Sequence, residues 1–367
     1  MRRHNPYRKP TQVTKEYSLS LTHKGNPELK WESNESYNIG IDFGLFKGYL
    51  NGSVEFYNRK TTDLLFNKAV PASSGNPTGR FPLNVGSLRN LGFEITFDGL
   101  FYKTKKFEWA WNINASHYKN EILSLDESIA KDGQKGSYWI YRIGGSVHEA
   151  YMLKYAGLNE QGQALYYKKV LDANGDWTGE STTVTDPTKA DKYDLGNVYP
   201  KLHGGFGTSV SYGGFDASAQ FSYQLGGKYY DGSYQALMHT QANPGNAMHK
   251  DLLNAWTPEN TNTDVPRLDG DVLLAQTACD RFLISSNYLC LNNAQIGYTF
   301  PAATTKKLGI GTLRVYVAGE NLFLLTARQG LDPRYSTGLG SYTAGSAMNN
   351  NDYTSTRNIT GGFTLTF

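Results

Sequence analysis

A two-residue alternation of apolar and polar side chains, recurring along nearly the whole chain, limits its fold more than any other feature. Successive strand side chains point to opposite faces, so alternation marks strands with one apolar side. Ile39, Ile41, Phe43 and Leu45 alternate with Asn38, Gly40, Asp42 and Gly44. Beyond Lys47-Gly48, Leu50, Val54 and Phe56 alternate with Asn51, Ser53 and Glu55. Leu91, Phe93, Ile95 and Phe97 alternate with Gly92, Glu94, Thr96 and Asp98, and Phe107, Trp109, Trp111 and Ile113 with Glu108, Asn112 and Asn114. Phe206, Val210 and Tyr212 lead through Gly213-Gly214 into Phe215, Phe221, Tyr223 and Leu225. Later runs cover Tyr288 to Phe300, Leu313 to Leu324 and Thr356 to Phe367. Parity slips near Asn292 and Asn293, which predicts a bulge. With an earlier strand near Val13 to Thr22, about ten strands are expected.

The connections alternate as well. Short turns fall at Lys47-Gly48, Lys103 to Lys106, Gly213-Gly214 and Pro301 to Gly311, and long connections at 61–84, 121–200, 226–286 and 325–356. This pattern requires Tyr151 to Val170 to be a hairpin within a loop. Outer-membrane barrels have short periplasmic turns and long external loops. Putting the carboxy terminus in the periplasm sends every long connection outside. A soluble β-sandwich also alternates, yet rarely carries unstructured loops longer than about 15 residues. The expected fold is therefore all-β, a transmembrane antiparallel β-barrel with long external loops.

Composition agrees with that reading. No apolar run approaches the roughly 20 residues of a transmembrane helix, and the one helix-compatible stretch is Ser233 to Asn254. The chain has 26 Tyr and 39 Gly with only 39% hydrophobic residues, which suits a wall where every second residue meets lipid. A net charge of +3, without basic runs interleaved with aromatics, argues against nucleic acid. Two cysteines, Cys279 and Cys290, exclude a disulfide scaffold and a paired-cysteine zinc site, leaving room for one loop disulfide. Met1-Arg2-Arg3-His4 carries the charge of a signal peptide's first segment, but Asn5-Pro6 follows where an apolar core should begin. As written, the chain could not be exported, so either it is a fragment or the barrel reading fails. In the last run Ile359, Phe363, Leu365 and Phe367 share one face, and an aromatic ends the sequence.

Several motifs carry a resemblance. Asn26-Pro27-Glu28-Leu29-Lys30-Trp31-Glu32 precedes the first hairpin, and Tyr57-Asn58-Arg59-Lys60-Thr61-Thr62-Asp63-Leu64-Leu65 follows. Next come Asn84-Val85-Gly86 with Asn90-Leu91-Gly92-Phe93-Glu94, then Trp256-Thr257-Pro258-Glu259-Asn260 and Gly297-Tyr298-Thr299-Phe300-Pro301. Asn321-Leu322-Phe323 and Leu331-Asp332-Pro333 close the series. In this order, from about Asn26 to Phe367, they resemble the starch-utilisation-type (SusC/RagA-like) TonB-dependent outer-membrane transporters of the Bacteroidota. The terminal strand ending in Phe is similar to the signature read by the outer-membrane assembly machinery. Cys290 and Asn292 depart from the family, which usually has basic residues there, and Thr354 stands where Pro is usual.

The resemblance implies a plugged barrel of about 22 strands. Residues 1–367 would supply roughly the last ten, with signal peptide, plug and TonB-contact motif lying upstream. It further implies import of an oligosaccharide or peptide, beneath a SusD-like surface lipoprotein and driven by the TonB complex. A free-standing ten-stranded porin or outer-membrane hydrolase is the alternative. Pairing between the Val13 and Phe363 regions would favour it. A soluble adhesin sandwich is a third reading.

No catalytic constellation stands out, and neither a cofactor nor a metal is expected. The seven His residues are scattered, with His117 and His203 read as lumen-facing. Asp172-Ala173-Asn174-Gly175-Asp176 has the first half of a calcium loop but lacks Gly at the sixth position and an acid at the twelfth, Thr183. An Asx turn is the simpler account. Candidate ligand contacts are the loop aromatics Tyr138, Trp139, Tyr141, Tyr229, Tyr230 and Trp256, whose flat faces suit sugar rings. Packing of loop against loop is the competing role. Tyr49, Tyr57, Trp109, Tyr212 and Phe323, at strand ends, read as interfacial belts.

Overall fold

A computed structural model describes residues 25–238, 245, 247–268, 277–327, 332–334 and 355–367. The strand expected near Val13 to Thr22, Thr354 and most of the final long connection lie outside these. Nine strands form one antiparallel sheet: β1 (Ser33–Leu45), β2 (Leu50–Thr62), β3 (Ser87–Lys103), β4 (Phe107–Ser124), β5 (Leu202–Tyr212), β6 (Phe215–Leu225), β7 (Tyr288–Thr299), β8 (Thr312–Thr326) and β9 (Asn358–Thr366). Each pairs with its neighbours in sequence, and among the described residues β1 and β9 each have one free edge.

Register explains why the alternation works. Ile39 pairs with Phe56, Phe56 with Phe93, and Ile41 and Val54 lead across to Ile95 in the same way. Directly paired residues share a face, so these apolar side chains form one continuous surface. It continues through Ile113, Phe206 and Phe221 to Phe323. The opposite face carries Asp42, Ser53, Thr96, Asn114, Gln220 and Thr364. The apolar face is open to the surroundings: Phe93 is 38% exposed, Phe363 69% and Leu365 38%. A sandwich would bury it. Only a lipid-facing wall leaves such a surface uncovered without cost.

The short connections lie at one rim. β1 turns into β2 through Phe46, Lys47 and Gly48, all at positive φ (54°, 57° and 89°), and Tyr212 pairs with Phe215 around Gly213-Gly214. Long connections all leave the other rim, as the loop lengths require. The bulge expected near Asn292 is present: Leu291 pairs with Phe323 and Asn293 with Glu320, leaving Asn292 without a direct partner.

Two orientations differ from expectation. His117 pairs with Phe93 and so belongs to the apolar face, its ring 5.5 Å from Phe93. Strand parity decides the face. The polarity of His117 is met locally, because Nδ1 is hydrogen-bonded to the Lys201 carbonyl at the loop end of the strand. His203 pairs with Ser116 and Gln224 on the polar face, as expected. Tyr57 pairs with Gly92 and Asn38, which also puts it on the polar face and not in a lipid belt.

The largest buried cluster sits in the connections, not in the wall. Met152, Tyr166 and Val198 from 125–201 pack with Tyr230, Met238 and Phe282 from 226–287. These segments form small sheets of their own. Glu149–Leu153 lies between Lys192–Asn197 and Trp139–Tyr141, while Tyr155–Leu158, Ala164–Leu171 and Trp177–Val184 make a three-stranded unit. The hairpin expected at Tyr151 to Val170 thus lies in the loop layer, with its turn between Leu158 and Ala164. The helix-compatible stretch contains a short helix, Gly232–Leu237, and a 3-10 turn, Lys250–Asn254.

Candidate functional site

The aromatics of the long-connection layer fall into three roles. Tyr229 and Tyr230 follow β6 on the strand Lys228–Tyr230, which pairs with Leu283–Ser285, and both residues are buried. They are 2% and 0% exposed. The Tyr230 ring lies 5.3 Å from Tyr138 and 6.3 Å from Phe282, so it binds one long loop to the other. Trp139 and Tyr141, two apart on Trp139–Tyr141, project to the same side and stack at 4.1 Å. Both are half-buried. Trp256 lies elsewhere, over Gly162. Gly162 has φ +74°, and an added Cβ would stand 2.3 Å from the indole. The structure therefore groups Tyr138, Trp139, Tyr141 and Tyr230 and separates Trp256 from them.

Burial governs the titration of these groups. It raises the phenols of Tyr138 and Tyr141 above the ordinary tyrosine range, pushes the Tyr166 phenol and the Cys279 thiol up to about 12 each, and holds His148 below the usual histidine range. Desolvation disfavours the charged form in every case. None of these groups is prepared to act as a nucleophile near neutral pH.

Ion pairs and caps hold the layer to the wall. Lys68, on the hairpin between β2 and β3, bonds Asp126 at 2.8 Å just after β4. Asp126 also caps the helix Glu127–Ala130 by accepting from Ser128 N–H. The Lys68 ammonium and this cap hold the Asp126 carboxyl down at about 2. Arg142 pairs with Glu149 at 2.6 Å and with Asp194, joining three loop segments.

The last long connection is clamped differently. Arg334 forms a forked pair with Asp332, 2.8 Å from Nε to Oδ1 and 2.7 Å from Nη2 to Oδ2. Its Nη1 donates to Asn321 Oδ1 at 3.1 Å and Cys290 Sγ at 3.0 Å, and reaches Asn292 Oδ1 at 3.5 Å. Ser355, at the far end of the connection, donates to Asp332 Oδ2 at 2.7 Å and meets Arg334. A cation from the loop thus occupies the place beside Cys290 and Asn292 where the sequence lacks strand-borne basic residues. Sequence reasoning reached Asp332 through its motif. It missed Arg334, because nothing in a loop sequence says which bulge its tip will find.

Cys279 and Cys290 are both free and buried, one in the loop core and one on the wall, so the single disulfide that the sequence allowed is absent. Asp172 Oδ1 accepts from the backbone N–H of Asn174 and Asp176 at 2.8 and 2.9 Å. This is the Asx turn. Among the described residues no group of His, Cys, Asp and Glu is arranged to hold a metal ion.

Comparison with known proteins matches this geometry. The family model for "TonB dependent receptor-like, beta-barrel" matches residues 10–366. The chain is similar to TonB-dependent receptor P3 of Formosa agariphila, 30% identical over 324 residues, covering 85% of this chain and 32% of that protein. It is also similar to TonB-dependent receptor SusC of Bacteroides thetaiotaomicron, 27% identical over 344 residues, covering 88% of this chain and 32% of SusC. Among solved structures, the RagAB peptide transporter superposes with a TM-score of 0.80 at 27% identity, covering 98% of this chain and 38% of that one. The chain thus spans about a third of the length of these relatives.

Proposed function

We propose, given that this chain belongs to the TonB dependent receptor-like β-barrel family, that it forms wall and external loops of an outer-membrane importer of the SusC/RagA type. The supporting observation is the open nine-stranded sheet with one lipid-facing and one polar face, superposing on the RagAB peptide transporter over 98% of its length. The two edges left free among the described residues would expose unpaired backbone groups in lipid, so the wall is completed by further strands of the same barrel. A plug and a TonB-contact segment precede residues 1–367 in the complete protein. This chain's part is structural and recognitive, without bond chemistry. It holds the polar lumen against the plug, meets lipid outside and presents loop side chains to substrate and to a SusD-like surface lipoprotein.

The cargo in this reading is an oligosaccharide, with a peptide as the other class. Trp139, Tyr141, Tyr138 and Trp256 present partly open rings to it, while Tyr229 and Tyr230 hold the loops that carry those rings. Sugars stack weakly on such faces, which suits capture followed by release. The test is uptake of labelled oligosaccharide by cells carrying the complete gene and its neighbouring lipoprotein. Uptake is expected to stop on deletion of TonB. Uptake that continues without TonB would overturn the importer reading.

A further inference from the structure

Beside the short helix Gly232–Leu237, the loop layer has an open cavity of about 670 Å³, lined by Tyr234, Asp251, Asn254 and the run Asn260 to Val265. We propose that this cavity is a subsite for an uncharged sugar unit. This deepens the importer reading and rests on it.

The rim is built before any ligand arrives. Asn260 Nδ2 donates to the carbonyls of Asn254 and Ala255 at 3.2 and 3.3 Å. Thr263 Oγ1 donates to Asn254 O at 2.6 Å, and Trp256 N–H to Val265 O at 3.0 Å. These bonds close residues 254–265 into a ring over the buried side chain of Val265. A site held in this way loses little entropy on binding.

Charge selects the ligand. No Lys or Arg lines the cavity, whereas two carboxylates do, so a sulfated or carboxylated ligand would meet repulsion and find no cation facing it. An ammonium group would find one of the two carboxylates, Asp251, already engaged. Asp251 accepts from the Tyr234 hydroxyl at 2.9 Å and lies 3.3 Å from His249 Nδ1, whereas the Asp264 carboxylate is exposed and only loosely paired, 3.7 Å from Arg281. Of the lining polar side chains, those left without a hydrogen bond among the described residues are Asn254, Thr261, Asn262 and Asp264, all exposed. Two amides and a hydroxyl offer donors and acceptors together, which matches the paired donor and acceptor character of sugar hydroxyls.

The experiment uses the full-length receptor, purified in detergent, on an array of neutral, sulfated and uronate-bearing oligosaccharides with tripeptides as a further set. Binding to one or more neutral oligosaccharides is expected. Asn254→Ala with Asn262→Ala should weaken it about tenfold to a hundredfold, at roughly threefold to tenfold per lost hydrogen bond. Neither amide is bonded among the described residues, so the melting temperature of the double variant should equal that of wild type. Asn260→Ala, by contrast, should loosen the rim and lower both. Exclusive binding of anionic oligosaccharides or tripeptides, no binding at all, or unchanged affinity in the double variant would each overturn the subsite. TonB plays no part in this assay, so neutral binding without TonB-dependent uptake would keep the subsite and remove the importer.

Discussion

Tyr230 has its hydroxyl buried at the centre of the loop core, and among the described residues that hydroxyl has no hydrogen-bond partner. Leaving such a group unsatisfied costs free energy that its ring packing must offset. Tyr230→Phe keeps the ring contacts with Tyr138 and Phe282 and removes the stranded oxygen. It should therefore stabilise the loop layer by about 1 kcal/mol, read as slower amide exchange across Lys228–Tyr230 and Leu283–Ser285. Asp126 illustrates the opposite situation, a polar group with every partner in place. Its carboxyl is held at about 2 against an ordinary 3.8, so its contribution is complete above about pH 4 and disappears as pH falls through 2. Asp126→Ala should cost about 1 kcal/mol through the lost cap plus a smaller amount for the Lys68 pair. Exchange protection in Glu127–Ala130 should fall at pH 7 and match wild type near pH 2. Both residues show the limit of single-residue reading. The tyrosines at 229 and 230 were visible as loop aromatics, but their burial depends on a pairing with Leu283–Ser285 that no local pattern announces.

At the scale of elements, the sequence was most legible where one face had to be apolar. β1 through β9 follow the alternating runs, and even the bulge at Asn292 was signalled by a parity slip, because a strand cannot shift by one residue without turning its apolar set inward. The same rule corrects His117 and Tyr57, whose chemistry suggested one face while their register chose the other. Loop elements were poorly legible, since short strands such as Trp139–Tyr141 have too few residues to show a period. The Arg334 clamp is the clearest case, joining both ends of the last connection to the β7 bulge through tertiary contacts alone. Asp332 is buried, so Arg334→Ala leaves an uncompensated carboxylate and should cost about 3 kcal/mol. It also uncovers the Cys290 sulfur. Maleimide labelling of Cys290 in the full-length receptor should then become several times faster, with Cys279 as the internal reference. Equal labelling of Cys290 in variant and wild type would show that the clamp does not cover it.

Over the whole molecule, two faces of one sheet meet different surroundings, and a pair of neighbouring substitutions tests this directly. Ile95 lies mid-strand on the apolar face and Thr96 on the polar one. Ile95→Lys should destabilise the folded barrel by about 2–4 kcal/mol, as expected for a cation near the bilayer midplane. Thr96→Lys should be close to neutral for folding. Urea titration of the full-length receptor in bilayers, followed by heat-modifiable gel mobility, separates the two, and similar losses at both positions would contradict the two-faced wall. The position of the main apolar cluster in the loops has a thermal consequence. Heat capacity changes when apolar surface leaves water, and here the loop core does so while the wall trades one oily contact for another. Calorimetry should accordingly resolve a component with a large heat-capacity step from the receptor's mouth and a flatter one from its membrane ring. Because burial from water weakens on cooling, cold should slacken the mouth while the ring stays closed.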